Sequence, residues 1–525
     1  MLPKHGEPPV LREVQHALAR EQGFASWAEL KQHHVDGGAG DRQALLDGLL
    51  EYACIFTPPR DLPAKWRRAE RIRARHPELA TASIHTAVVC GEVEHVATLL
   101  RDDPSLLTQP GGPQRWPPLL FACNGRLPNQ RARERALEMA TLLLDAGADP
   151  NTAFVTDDDW RLRFTALTGA MGHGEMGQPE HPSGERLARL LLSRGARAND
   201  GQGLYNTHLG DDDTRYLQLL IEHGLGPSDP IAWHADPSDD VKSGADRVPT
   251  IFDYLVAQAA AAGHVRRVTV LLEHGANPNA CSMYDGKSCH ALASLSGRQD
   301  IMALLEASGA EPAVLEGHDA FVAAVRGGRR AEAVRLLQAH PEYREFGAPL
   351  VHAAGEGELE VVRALLELGV EPSAPNPHGV DALHSGSRHE AIVRLLLEHG
   401  ADATTRCHGA TACAWAKSAG ALANARLIAE HSRSLLDAVY SGHVALVRRL
   451  LRERPACIDE RAPSGSGPLH HVAVDPEQAE PILQGLLAAG ADPWLLNDAG
   501  RTPAQSLEEQ GADQVADLLE ELRMR

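Results

Sequence analysis

The sequence has no Cys-x-x-Cys motif, no long hydrophobic run and no excess of positive charge. Its eight cysteines are spread along 525 residues, and the closest pairs are separated by seven and five intervening residues. Such spacing is poor for a zinc site and gives no clear disulfide framework. Most cysteines lie in apolar stretches, as Cys90 does in TAVVCGEV, so we expect buried, reduced thiols.

The charge balance excludes several classes of partner. Lys and Arg number 51 against 71 for Asp and Glu, which gives a net charge of -20. This charge repels a phosphate backbone, so we expect no nucleic-acid partner and a protein partner with a neutral or cationic surface. The longest small apolar run, Leu255 to Gly263, is far too short to span a membrane, and no secretory leader is recognisable, which predicts a soluble, cytoplasmic protein.

What the sequence does contain is a recurring ending. Similar segments are LLLDAGADPN (142–151), LLLSRGARAND (190–200), LLEHGANPN (271–279), LLELGVEPS (365–373), LLLEHGADA (395–403) and LLAAGADPW (486–494). A repeat period in the thirties is typical of stacked structural units. Each copy ends a helix and then places a glycine where the backbone must turn left-handed, at Gly147, Gly195, Gly275, Gly369, Gly400 and Gly490. A second helical pattern precedes each ending, so the repeat is predicted to be helix, turn, helix.

These segments resemble the ankyrin repeat, whose pattern is G-x-T-P-L-H-x-A-A-x-x-G-H-x-x-x-V-x-x-L-L-x-x-G-A-x-x-N. The clearest copies are APLVHAAGEGELEVVRALLELGVEP, ALHSGSRHEAIVRLLLEHGADA and GPLHHVAVDPEQAEPILQGLLAAGADP. The resemblance implies an all-α ankyrin-repeat solenoid with finger loops, in which neighbouring helix pairs cover each other's apolar stripes. It also implies binding of another protein through the inner helices and fingers.

The expected domain organisation has three parts. Residues 81–525 form the solenoid of roughly thirteen repeats, and residues 41–80 form a helical N-terminal cap. Residues 1–40 form a separate small helical segment, in which Phe24 and Trp27 are expected to pack together. This segment is similar to one found in bacterial ankyrin proteins, which favours a bacterial source.

Insertions interrupt the period in repeats two to five. They are expected at residues 124–135 and 172–185 between helices, and at residues 151–164 and 226–250 on the finger side. Long loops cost little free energy, so an insertion alone says nothing about function. Because stacking brings the insertions side by side, and insertions on one face often mark the binding face, we expect a site here.

Two classes of function remain. The favoured one is a binding scaffold. The alternative is an enzyme or small-molecule-binding site in about residues 120–275, in which a histidine and a carboxylate act as acid and base. The inner helix GLYNTHLG is expected to expose Tyr205, Asn206 and His208 to a ligand. Candidate binding residues are Trp160, His173, Tyr205, Asn206, His208, Asp211, Asp213, Trp233 and His234, and candidate catalytic residues are His173, Glu175, His208 and Asp211.

Other chemical interpretations are weaker. His173, Glu175 and His181 lie in a Gly- and Pro-rich loop without helical zinc spacing, so we expect no metal and no cofactor. The GKS at 286–288 lacks the first glycine of a P-loop, because that position is Cys281. His85, His384 and His470 occupy the helix-opening position of the repeat, where the resemblance implies a bond to loop backbone. His223, His274 and His399 precede cap glycines, where a cation is favourable.

Overall fold

The computed structural model describes residues 42–55, 62–156, 161–174, 178–234, 250–472, 475–510 and 512–524. The expected N-terminal segment, with Phe24 and Trp27, lies outside the described residues, so the boundaries at residues 40 and 80 stay predictions. Contacts divide the described chain between Leu315 and Glu316 into an N-terminal unit and a C-terminal unit, which are treated separately.

Helix pairs make up the N-terminal unit. Its α-helices are α1 (Arg42–Ala53), α2 (Leu62–Arg75), α3 (Ile84–Cys90), α4 (Val93–Asp102), α5 (Pro118–Asn124), α6 (Gln130–Asp145), α7 (Ala166–Met171), α8 (Gly184–Ser193), α9 (Gly201–His208), α10 (Arg215–Glu222), α11 (Ile251–Ala262), α12 (Val265–Glu273), α13 (Cys289–Leu295) and α14 (Gln299–Ala307). Short 3-10 helices cover Pro77–Thr81 and Pro104–Thr108. One antiparallel hairpin joins β1 (Ala153–Val155) to β2 (Arg163–Thr165).

The C-terminal unit repeats the same design. Its α-helices are α15 (Gly317–Arg326), α16 (Arg330–Ala339), α17 (Ala348–Gly355), α18 (Leu359–Glu367), α19 (Ala382–Ser385), α20 (Glu390–Glu398), α21 (Ala412–Ser418), α22 (Leu422–Ser432), α23 (Leu435–Tyr440), α24 (Val444–Glu453), α25 (Pro476–Ala488), α26 (Pro503–Glu509) and α27 (Asp513–Met524). Its 3-10 helices are Pro341–Glu345, Pro455–Asp459 and Pro468–His471, and its one hairpin pairs β3 (Arg406–Cys407) with β4 (Ala410–Thr411).

The helices form thirteen successive pairs after α1 and α2 in the described part of the chain. Repeats 1 to 6 run from α3–α4 to α13–α14, and repeats 7 to 13 run from α15–α16 to α26–α27, with Pro468–His471 as the first helix of repeat 12. This arrangement confirms the all-α repeat fold. The first helix of each pair is called the inner helix and the second the outer helix. Every residue of the inner helix α3 is buried, whereas the outer helix α4 buries only Val93, Val96 and Leu100.

Each unit has one continuous hydrophobic core. In the N-terminal unit it extends from Leu45 to Ala310, and in the C-terminal unit from Phe321 to Leu519. The expected stacking of neighbouring pairs therefore holds within each unit, because no pair buries its apolar residues alone. None of the helices in the described ranges combines the length and the apolar character that crossing a bilayer requires.

The cap glycines behave as the sequence predicts. Gly147, Gly195, Gly275, Gly369, Gly400 and Gly490 all have positive φ. At Gly275, φ is +90°, and the amide nitrogen donates to the Leu272 carbonyl at 3.1 Å, which satisfies the end of α12. A side chain at this position would be strained regardless of the space around it.

The loop between α7 and α8, residues 172–184, is here called the strap. In its described parts, the His181 amide donates to the Ala170 carbonyl at 3.1 Å, and the buried Gln178 side chain donates to the Ile55 carbonyl, after α1, at 3.1 Å. Glu180 accepts a hydrogen bond from the Tyr216 hydroxyl of repeat 4 at 2.7 Å. The strap therefore contacts the helix pair before repeat 1 and also repeat 4.

A buried arginine fixes the strap to repeat 2. Arg126, with 5% of its surface exposed, donates to the carbonyls of Cys123, Gly125, Gly169 and Pro179 at 2.8 to 3.2 Å. Burial lowers the pKa of its guanidinium to about 10, which leaves it charged at neutral pH. The planar fork of an arginine suits this task, since one side chain satisfies four carbonyls in two repeats.

The prediction that residues 124–135 form an insertion between the helices is partly wrong. Asn124 ends α5, and residues 130–135 belong to α6, so only 125–129 connect the helices. Asn129 caps α6 by accepting a hydrogen bond from the Ala132 amide at 2.8 Å. The extra residues lengthen the outer helix to 16 residues, because Gln, Arg, Ala and Glu are all strong helix formers.

We expect Gly275→Val to destabilise the N-terminal unit by about 1–2 kcal/mol, because valine must adopt the left-handed conformation. The measurement is the urea concentration at which half of the helical circular dichroism is lost. Gly226→Val is the matched control, since Gly226 has an ordinary φ and an added Cβ there meets nothing within 4 Å. If the two substitutions lower the urea midpoint equally, the left-handed conformation of Gly275 is not the cause.

We expect Arg126→Lys to loosen the strap, because an ammonium cannot reach four carbonyls, and each buried carbonyl left unsatisfied costs about 1–3 kcal/mol. Hydrogen exchange of the His181 amide should accelerate at least about 10-fold. Arg133→Lys is the control, since Arg133 is exposed in the same repeat. If the His181 amide exchanges hydrogen at the same rate in both variants, Arg126 does not hold the strap.

Candidate functional site

The inner helix α9 carries the central residues of the expected site, and the structure corrects one expectation about them. Asn206 and His208 are 3% and 8% exposed, so the prediction that they present polar groups to a ligand is wrong. Tyr205 is half-buried. Sequence alone gave no indication of this burial, since the covering groups come from other repeats.

Two neighbours cover α9. The strap crosses it, and the Gly174 amide donates to the Asn206 carbonyl at 3.3 Å, while the Asn206 side chain accepts from Gln202 at 3.0 Å. From the next repeat, the Tyr254 hydroxyl lies 3.3 Å from Nε2 of His208. The polar side chains of α9 are therefore used inside the protein.

Four rings close around this point. Tyr205, His208, Tyr254 and Trp233 meet in edge-to-face pairs with centroids 4.8 to 6.0 Å apart. Such pairs stabilise a packed cluster beyond the area they bury. Tyr205 and Trp233 are half-buried, whereas Tyr254 is buried, so only part of the cluster faces solvent.

His208 is unsuited to the acid–base role considered from the sequence. Burial first, and then the nearby Arg267 guanidinium, lower its pKa to about 4. Within the described residues, no carboxylate lies within 4.0 Å of His208 or of His173. Arg267 is itself 1% exposed, and its Nη1 donates to the Asp213 carbonyl at 2.8 Å. The pairing expected for catalysis is absent among these groups.

The acidic triplet 211–213 serves the local structure. Asp212 accepts hydrogen bonds from the Arg266 and Arg267 amides at 2.8 and 2.9 Å and so caps α12 of the next repeat. Asp213 pairs with Arg215 at 2.7 Å, and the same guanidinium reaches Glu180 of the strap at 3.2 Å. The strap and the triplet are thus neighbours, as stacking predicts. Asp211 is exposed.

The remaining candidates lie in the strap, on the finger side or outside the described part. Trp160 and Glu175 fall outside the described residues. His173 forms an isolated antiparallel β-bridge with Gln178 inside the strap, and His234 forms another with Leu162. The Arg163 amide donates to the Trp233 carbonyl at 2.9 Å, which ties the segment before residue 235 to the β1–β2 hairpin. No group of three or more metal-ligating side chains occurs in the residues described.

The histidines of the repeat pattern behave as expected. Nε2 of His85, His384 and His470 lies 2.8 to 3.2 Å from the carbonyls of Gln109, Ala410 and Arg501 respectively, each in a following loop. His274 and His399 instead bond to the carbonyl four residues earlier in their own helices, at 2.8 Å. These interactions confirm a structural role for these five rings.

An open depression lies in the C-terminal unit, where sequence reasoning predicted no site. Inner helices α17, α19, α21 and α23 and the β3–β4 finger line it, with a cavity volume of about 630 Å³. A second depression of about 400 Å³ lies between this finger and residues 462–464. The two share Ala410, Ala414 and Tyr440, and together they are called the groove.

Two aromatic side chains stand in the groove above a floor of small residues. Trp415 packs edge-to-face on His384, with centroids 5.5 Å apart. Tyr440 receives the Lys417 ammonium over its ring at 4.0 Å, and burial lowers the pKa of Lys417 to about 8. The His471 ring packs edge-to-face on Tyr440, with ring centroids 6.0 Å apart, and burial lowers the pKa of His471 to about 4. The groove therefore combines aromatic surface with cationic groups.

A signal for the groove was present in the sequence. The inner-helix segments TACAWAKSAG and SLLDAVYSG each carry an aromatic ring, as GLYNTHLG does. Repeats 9 to 11 keep their period, so no interruption marks the groove in the sequence.

Comparison with known proteins gives the same repeat. A model described as ankyrin repeats (3 copies) matches residues 320–407 and 350–437, and a model described as ankyrin repeat matches residues 257–283. YahD of Escherichia coli (strain K12), whose name places it among ankyrin repeat proteins, is 26% identical over 193 residues, which cover 34% of this chain and 96% of YahD. The matched segments coincide with helix pairs in both units, so the chain contains ankyrin repeats in each unit.

Proposed function

We propose that the protein is a binding scaffold, and that its partner is a protein that lies in the groove of the C-terminal unit. Ankyrin repeats are in general protein–protein interaction modules. The observation that carries the proposal is the groove itself, which continues across repeats 8 to 12. Buried thiols at seven of eight cysteines and the likeness to a bacterial relative support a cytoplasmic, bacterial setting.

The form of the groove favours a polypeptide over a small metabolite. Small ligands are usually enclosed, and this groove is open to solvent along its length. Gly355, Ser385, Ala410 and Ala414 leave room for a backbone to approach closely. Trp415 and Tyr440 offer the large rings that dominate protein interfaces.

The N-terminal unit supplies a second contact surface in this proposal. Tyr205 and Trp233 are half-buried rings on the cluster beside the fingers, and Asp211 is exposed nearby in the same repeat as Tyr205. These residues remain candidates for binding. The alternative of an enzyme site gains no support from His208, which is buried against Tyr254.

Affinity capture from the native cell tests the groove. We expect Trp415→Ala and Tyr440→Ala each to weaken retention of the specific partner by about 30-fold, the effect of losing about 2 kcal/mol at an interface anchor. The measurement is quantitative mass spectrometry of proteins that elute from the immobilised chain, followed by the Kd of the purified partner.

Leu422→Ala is the matched control, because Leu422 is an exposed apolar side chain on the outer helix of the same repeat as Trp415. A partner that is lost equally from all three variants depends on stability and not on the groove. A partner retained by both groove variants would refute this assignment.

A further inference from the structure

The groove carries positive charge in an acidic chain. Acidic side chains outnumber basic ones by 71 to 51 overall. Along the groove, however, the lining includes Arg388 and Arg406, and the Lys417 ammonium lies over the shared Tyr440 ring. The lining thus holds two basic side chains, Arg388 and Arg406, beside two acidic ones, Glu356 and Asp437, and Lys417 adds a further cation next to Tyr440.

Neither arginine is neutralised by an acid. Arg388 donates to the Gly355 carbonyl and to His389, both at 3.1 Å, and Arg406 donates to the Gly409 carbonyl at 3.1 Å. Both are exposed, and no carboxylate of the described residues lies within 4.0 Å of either guanidinium. Two exposed arginines on outer helices do form ion pairs with carboxylates: Arg394 with Glu390 at 2.8 Å and Arg330 with Glu367 at 2.9 Å.

Two acids also line the groove, and Arg406 is a charged neighbour of one of them, Asp437. Asp437 is 5% exposed, accepts a hydrogen bond from the Thr411 hydroxyl at 2.7 Å, and has a pKa raised by burial. Glu356 lies at one end, where its charge interacts with Arg326. Among the arginine and carboxylate side chains that line the groove, the exposed ones are therefore Arg388, Arg406 and Glu356.

We infer that the groove binds an extended segment of a partner protein that carries Asp or Glu side chains. This inference rests on the proposed function and gives the partner's chemistry. Partner carboxylates would meet the guanidinium forks of Arg388 and Arg406, which suit paired hydrogen bonds, and the residues between them would lie on Trp415 and Tyr440. Charges beyond about 8 Å are screened at physiological salt, so the groove's own cations decide the contact.

A nucleic acid fits less well. A polyanion that extends past the groove brings further negative charge into the field of a molecule whose net charge is -20. A short peptide segment with one or two carboxylates meets only the local cations. The net charge of the chain led us to expect a partner with a neutral or cationic surface. The arginines of the groove instead favour acidic side chains at this one place.

The test is peptide selection on the full chain with a displayed random ten-residue library. We expect the recovered peptides to be enriched in Asp and Glu over the input. The double variant Arg388→Gln, Arg406→Gln should lose that enrichment and bind a selected acidic peptide at least about 10-fold more weakly, as for lost charge-assisted hydrogen bonds. Fluorescence anisotropy measures the affinity.

The control is Arg363→Gln, Arg394→Gln, which changes the net charge equally on the outer helices of repeats 8 and 9. Peptides that need Trp415 but show no acidic enrichment would overturn the inference and leave the proposed function standing. A selection without any Trp415-dependent peptide would overturn both. A labelled 20-nucleotide single strand that binds as tightly, with the same dependence on Arg388 and Arg406, would assign the groove to nucleic acid instead.

Discussion

Every repeat of this protein depends on its neighbour to cover an apolar face. A seven-residue inner helix such as α3 is buried over its whole length, which two isolated helices could not achieve. The core of each unit is accordingly continuous, from Leu45 to Ala310 and from Phe321 to Leu519. Stacking also sets where function can lie, because it brings side chains of successive inner helices and fingers next to one another.

The local parts of the fold were predictable from sequence, and the long-range parts were not. A left-handed glycine after a helix and a histidine at the helix start act within one repeat or across one loop, so Gly275 and His384 could be assigned from pattern alone. The burial of Asn206 and His208 depends on the strap and on Tyr254, which lie about one repeat away on either side. A pattern of letters does not reveal which distant segment covers a side chain.

The candidate sites, like the fold, could be predicted from the sequence only in part. Interruptions of the period drew attention to repeats two to five, where much of the extra sequence holds the repeats together, as Asp212 does for α12. Regularity hid the groove, because Trp415 and Tyr440 replace small residues without disturbing the spacing. Net charge sums the whole surface, whereas the partner proposed for the groove would meet Arg388, Arg406 and Lys417 at close range.

The strap changes how the first repeats respond to stress. In a simple array, each interface opens independently, and the terminal repeats fray first. Here one loop of repeat 3 bonds to its two neighbours, through Arg126 and Tyr216, and also reaches past repeats 1 and 2 to Ile55. Unravelling from the amino-terminal side therefore has to break these ties together, which makes this part of the chain a single cooperative block.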